Sequence, residues 1–220
     1  MNQLSFIVPV GRGIHLPSDI ALPDHACGLV LFAHGSGSSR HSPRNIRVAG
    51  ILNRASIATV LIDLLTEEEE VRDQVTAELR FDIPLLGRRL VAITDWIARQ
   101  RTLESLGIGY FGASTGAAAA LVAAAERPEI VRAVVSRGGR PDLAGPSLAR
   151  VTAPTLFIVG ARDETVLHLN RVAIAQLPAE TERQLLIVPG ATHLFEEPGT
   201  LDSVAASAKD WFRQYLSPRV

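Results

Sequence analysis

The sequence predicts an α/β protein: a mostly parallel sheet flanked by helices on both faces, in a single domain spanning residues 1–220. Three observations carry that expectation. Short, continuously apolar runs such as 28–33 and 130–136 suit strands covered on both sides. These runs alternate with longer segments of helical periodicity, the pattern of a parallel sheet with crossover helices. The composition is uniform, with no linker and no internal repeat to divide the chain.

Taken in order, 4–10 and 14–22 are short apolar or alternating stretches broken by Gly11, Gly13, Pro17 and Pro23, and are expected to pair as antiparallel edge strands. The run 28–33 is the first parallel strand. Ser42 and Pro43 start a helix, a cap followed by Pro at the first helical position, with Ile46, Ala49 and Leu52 as its inward stripe. A strand over 57–62 ends at Asp63. The connection 64–82 is too long to be bare, so a short helix or a loop over the site is expected there, with Glu67 to Glu70 as a solvated face. Leu86, Leu90, Ile93 and Ile97 mark one face of a helix reaching about Gln100. A strand from Ile108 then runs into an Ala-rich helix ending near Pro128. Strands at 130–136, 155–159 and 185–188 follow, with a short helical piece after the loop 137–142 and a helix over 165–177. A helix over 201–216, with Val204, Ala208, Trp211 and Tyr215 on one side, closes the chain.

The composition narrows the function. A formal net charge of −1 leaves no basic surplus for nucleic acid or anionic lipid. No run reaches the length of a membrane span, and the N-terminal residues lack the basic segment of a signal peptide, so a cytoplasmic location with neither a membrane nor a nucleic-acid partner is expected. The single Cys27 allows no intramolecular disulfide and no multi-cysteine metal site. It also begins the strand that His34 ends, about 23 Å away by seven extended residues, and so belongs to the far edge of the sheet.

The chemistry centres on Gly112-Ala113-Ser114-Thr115-Gly116. A strand-to-helix turn this tight strains its central residue and needs small flanking residues, and it holds the Ser114 hydroxyl out at the end of the sheet. The Thr115 N–H, at the start of the helix, faces any negative charge developing beside that hydroxyl. A serine is a weak nucleophile until an imidazole takes its proton, and the imidazole needs a carboxylate to fix its tautomer. His193, after the last strand, and Asp163, after the strand before it, are the expected base and acid, with Asp142 as the alternative acid. Residues 34–37 read His-Gly-Ser-Gly at the end of the first parallel strand, where the Ser36 N–H would complete an oxyanion hole with that of Thr115. His34 stands on the oxyanion side and is read as structural.

These motifs, HGSG at 34–37, GASTG at 112–116, GARD at 160–163 and GATH at 190–193, make the chain resemble the α/β-hydrolase superfamily and, within it, the dienelactone hydrolase-like group. The resemblance covers nearly the whole chain. It implies an α/β-hydrolase fold without a large lid domain, Ser114 as nucleophile, Asp163 as acid and His193 as base. It departs from dienelactone hydrolase itself in having Ser where that enzyme has Cys. HSPRN at 41–45, ASTGAAAA and SRGGRPDLA at 136–144 resemble more narrowly the hydrolase domains that some bacteria fuse to a phosphoribosyltransferase, although no transferase half is expected in these 220 residues.

The expected reaction is hydrolysis of a small or short-acyl ester or lactone through an acyl-serine, with no cofactor and no metal. Acyl transfer or perhydrolysis would use the same three groups, and a non-catalytic binding module is the alternative outside enzymology. Between 136 and 155 only a short excursion fits, so the site is expected to be open. Arg40, Arg44, Arg80, Arg137 and Arg140 fall in segments flanking the catalytic edge, where one or two could pair with a substrate carboxylate or phosphate. The sequence does not speak to oligomeric state.

Overall fold

The computed structural model describes residues 2–217. Among these residues, eight strands form one sheet: β1 (Asn2–Pro9), β2 (His15–Leu22), β3 (Leu29–Ala33), β4 (Ala58–Ile62), β5 (Ile108–Ala113), β6 (Val131–Arg137), β7 (Thr155–Gly160) and β8 (Arg183–Val188). They lie in the order β1-β2-β4-β3-β5-β6-β7-β8, with β3 to β8 parallel. β1 pairs antiparallel with β2, and β2 antiparallel with β4, so β1 alone holds that edge and β2 lies inside the sheet. The apolar runs of β3, β5 and β7 are buried at every residue, as two covered faces require.

Among the described residues, six α-helices cover the sheet: α1 (Pro43–Arg54), α2 (Glu67–Thr76), α3 (Ile83–Ile97), α4 (Thr115–Glu126), α5 (Glu164–Ile174) and α6 (Thr200–Leu216). Side chains alternate along each strand, so Leu29 and Leu31 join one core with α3 and α4, while Val30 and Phe32 join the other with α1 and α6. Among the described residues, no helix is long and apolar enough to cross a membrane.

Local chemistry accounts for the helix starts. Ser42 caps α1 by accepting from the Asn45 N–H, with Pro43 at the first helical position. The inward stripe of α1 is Asn45, Val48, Ala49 and Leu52, and Ile46 is 48% exposed, which corrects the expected stripe. Positions 45, 48, 49 and 52 form a true i, i+3, i+4, i+7 face, and Ile46 falls beside it. The connection 64–82 contains α2 and a 3-10 turn at Leu79–Phe81. Glu67 and Glu68 are exposed, but Glu69 is not simply solvated. It forms a capping box with Thr66 and receives a hydrogen bond from the buried Arg89 guanidinium at 2.6 Å. Burial, the largest single influence, pushes the Glu69 carboxyl upward, but the hydrogen bonds from Arg89 and Thr66 together with the Arg89 charge outweigh it and hold the carboxyl below its ordinary value. Arg89 also donates to the Leu64 carbonyl, tying α3 to both ends of the segment that enters α2.

α4 lies unusually close to the sheet. A Cβ at Gly116 would sit 2.2 Å from the Ala33 carbonyl oxygen, and one at Gly112 would sit 2.4 Å from the Ala117 Cα. Gly50, inside α1, would place a Cβ 3.6 Å from the Arg54 side chain, an ordinary contact. Gly116→Ala is therefore expected to destabilise by about 2–3 kcal/mol through backbone displacement, whereas Gly50→Ala should stabilise by about 0.5 kcal/mol or more. Chemical denaturation of the two variants checks the opposite signs.

Candidate active site

β5 ends at Ala113 and α4 begins at Thr115, leaving Ser114 alone in the turn at φ 50° and ψ −121°. A side chain at positive φ crowds its own backbone, and Ser114 offsets none of that strain by capping the helix, since its side chain makes no cap hydrogen bond. The hydroxyl is left to face the sheet's carboxyl edge. A Cβ at Gly35 would sit 3.0 Å from the Ser114 Cβ, so the 34–37 loop runs against the elbow. Ser36 Oγ and Thr115 Oγ1 lie 3.0 Å apart, joining the two segments that sequence reasoning assigned to an oxyanion hole.

His193 and Asp163, thirty residues apart, meet at 2.6 Å between Nδ1 and Oδ2. An ionised carboxylate only accepts, so the hydrogen sits on Nδ1 and Nε2 is free to accept a proton. Close backbone approach makes this meeting possible. A Cβ at Gly160 would fall 2.4 Å from the Ala191 carbonyl oxygen, and the Arg162 N–H donates to that same carbonyl at 2.9 Å. The loop carrying His193 is clamped from its other side, where the Thr192 N–H donates to the Glu197 carboxylate at 3.1 Å. The Thr192 side chain, and after it the backbone N–H groups of Glu197 and Thr192, lower the Glu197 pKa. Asp142, the alternative acid, is engaged elsewhere by the Arg140 guanidinium at 2.9 and 2.7 Å.

His34 is buried, and both its ring nitrogens are occupied. Nδ1 donates to the Gly35 carbonyl and Nε2 accepts from the Leu64 N–H, each at 3.0 Å. Burial is the main influence on its pKa, which lies below the ordinary histidine value, so the ring is neutral and structural. Cys27 lies two residues before β3, at the opposite end of the strand from His34.

Ser114, His193, Ser36, Arg137, Arg44 and Asn45 all line one cavity of about 180 Å³. The other expected arginines are paired with carboxylates. Arg40 pairs with Asp63 and Asp19, Arg80 with the buried Asp73, and Arg140 with Asp142. Arg80 nevertheless lines a small pocket with Ser36, Gly37 and Thr115, whereas Arg137 and Arg44 are the arginines lining the cavity of Ser114 and His193. Sequence reasoning also missed Asn45 and Glu197. Asn45 is the last residue of the HSPRN motif at 41–45, which gave it no role of its own, and Glu197 lies only four residues beyond His193. Among the described residues, no group of three or more His, Cys, Asp or Glu side chains could hold a metal ion.

The model of the dienelactone hydrolase family matches residues 53–217. The chain belongs to the dienelactone hydrolase family. A dienelactone hydrolase from Anabaena variabilis superposes with a TM-score of 0.94 at 55% identity, covering 98% of each chain. Est1E from Butyrivibrio proteoclasticus shares the fold alone, at 17% identity and a TM-score of 0.78 over 96% of this chain and 98% of that one. Two proteins from strains of Mycobacterium tuberculosis, each named a putative phosphoribosyl transferase, are 59% identical over 207 residues, 94% of this chain. The chain spans 45% of the length of these curated relatives. Fold and family together support hydrolase activity.

Two predictions follow from the site's local structure. Ser114→Gly relieves the positive-φ strain and should be more stable than Ser114→Ala by about 1 kcal/mol, read from denaturation midpoints. For His34, the folded pKa is depressed, so below the ordinary 6.5 the unfolded chain takes up a proton that the folded one resists. Stability contributed at neutral pH is then lost as pH falls through that value. Replacing His34 with Gln should flatten this fall, by up to about 1.4 kcal/mol per pH unit, in melts between pH 7 and 5.

Proposed function

We infer that the protein hydrolyses carboxylic esters through an acyl-serine intermediate, with Ser114 as nucleophile, His193 as general base and Asp163 as the acid that orients it. The single observation carrying this reading is the His193–Asp163 hydrogen bond at 2.6 Å beside a serine held on a strained elbow in the same cavity. The strain favours a functional role, because a serine that serves only as a helix start gains nothing from positive φ.

In the proposed reaction, the Ser114 Oγ bonds to the ester carbonyl carbon while its proton passes to His193 Nε2. The carbonyl oxygen becomes an oxyanion, held by the backbone N–H groups of Ser36 and Thr115. The carbon–oxygen bond to the alcohol breaks, and the imidazolium returns its proton to the departing alkoxide. Water then attacks the acyl-serine by the same route and releases the carboxylic acid and Ser114. Asp163 stays ionised throughout and stabilises the imidazolium. The reaction calls for no cofactor. The segment between β6 and β7 is short, two 3-10 turns over Pro141–Arg150 joined at Gly145, with no room for a lid domain within it, which favours small or short-acyl substrates.

Ser114→Ala is expected to reduce kcat/KM for 4-nitrophenyl acetate by about 10⁴-fold or more, and Asp163→Asn by a similar order. Asp142→Asn should hydrolyse the ester as the unaltered protein does. A fluorophosphonate should label the unaltered protein and spare Ser114→Ala. Full hydrolysis by Ser114→Ala would remove the serine from the mechanism.

A further inference from the structure

The cavity beside Ser114 has an unusual electrical character. Arg137 is 7% exposed, and its Nε and Nη1 have no hydrogen-bond partner. The Nε of Arg44 is likewise buried without a partner, although its Nη1 reaches Glu196 at the surface at 3.1 Å. Asn45, 2% exposed, leaves its carboxamide oxygen unpartnered as well. All three line the cavity that holds Ser114 and His193, and no Asp or Glu is among its lining residues. Every other arginine considered for the site is matched by a carboxylate.

Resting on the acyl-serine reading of this site, we propose that the cavity selects esters whose acyl or alcohol arm ends in an anionic oxyacid group, a carboxylate or a phosphate. Arg137 binds that group, and Arg44 supports it. A buried guanidinium with idle donors is costly, and an oxyanion is the ligand that matches their planar, bidentate geometry. The face of Phe195, with its centroid 6.0 Å from the Arg137 carbon Cζ, supports the cation without occupying its N–H groups. Burial, and then the neighbouring charge of Arg44, push the Arg137 pKa down to about 10, which leaves it cationic at neutral pH. A turn of the Asn45 carboxamide would offer its NH₂ to the same anion. The volume of about 180 Å³ equals roughly six water molecules at ~30 Å³ each, so the charged arm is short.

The test compares 4-nitrophenyl hemisuccinate, 4-nitrophenyl 3-phosphonopropanoate and the neutral 4-nitrophenyl pentanoate. At least one anionic ester should exceed the neutral one in kcat/KM by about tenfold, and the better of the two identifies the oxyacid. Arg137→Gln should collapse that ratio, Arg137→Lys should restore part of it, and added salt should narrow it in the unaltered protein. Equal rates for charged and neutral esters, or a ratio unchanged in folded Arg137→Gln, would overturn the proposal while leaving ester hydrolysis standing. Should Arg137→Gln fail to fold, Arg44→Gln, altered at a group 32% exposed, must lower the same ratio. Should no ester be cleaved, calorimetry with succinate and with inorganic phosphate decides: binding that Arg137→Gln abolishes supports the anion site, and no binding by either anion rejects it.

Discussion

The structure depends on one close approach, that of the α4 N-terminus to the ends of β3 and β5. Gly116 lies so near the Ala33 and His34 carbonyls that a single Cβ would overlap both, and Gly112 is pressed equally against Ala117. Moving α4 outward by the width of a methyl group would relax Ser114 and separate Thr115 from the 34–37 loop. The contact between Ser36 and Thr115 hydroxyls exists only because the two backbones are this close. Strain at Ser114 is thus imposed from both sides, by the Ala-rich packing of α4 against α3 and the sheet and by hydrogen bonds at the turn. The Ser114 N–H donates to the Arg137 carbonyl, and its own carbonyl accepts from the Ala117 and Arg140 N–H groups. A residue so fully determined can hold an unfavourable φ because any relaxation would break several favourable contacts at once.

The same logic extends along the sheet edge. Parallel strands in register deliver Ser114, Asp163 and His193 to one end, but register alone brings loops near each other without joining them. The join is made by Gly160, which lets the 189–193 turn settle onto β7, and by Glu197, which holds the turn's Thr192 N–H. On the other flank, Arg89 and Glu69 fix α2 beside the 34–37 loop, and His34 bridges that loop to Leu64. Much of the polar machinery around the site therefore positions backbone and leaves the small cavity to a few exposed functional groups.

How far this was legible in the sequence follows from which interactions are local. The apolar runs, the glycine-flanked serine and the order of Ser114, Asp163 and His193 are visible because each depends on its own few neighbours. The helix starting at Ser42 was also legible, but its buried face was not. Ile46 looks inward by hydrophobicity, and packing against α6 turns Asn45 and Val48 inward instead. β8 begins with Arg183 and Gln184 at an edge, paired on one side only, so its polar start concealed two of its residues. The fate of the arginines was least legible. Charge in a loop says nothing of which acid lies opposite, and the partners of Arg40 and Arg89 are about twenty residues away.

That difference among arginines separates structural from available charge. Arg80 sits against buried Asp73, and its hydrogen bonds hold that carboxyl below its ordinary value despite the opposing effect of burial. Removing either partner would strand the other, which is how a buried pair becomes indispensable without contributing much net stability. Arg137 has burial comparable to that of a structural arginine but none of the pairing. Its desolvation cost is only partly offset by Phe195, since a cation over an aromatic face contributes about 0.5–2 kcal/mol while each unsatisfied buried donor costs about 1–3. Packing alone would favour an apolar residue here, as it does at most other positions where β5, β6 and β7 meet α6. A cation kept at this cost, one residue past the buried Ser136 and facing the same cavity as Ser114, is explained by a ligand that supplies the missing acceptors.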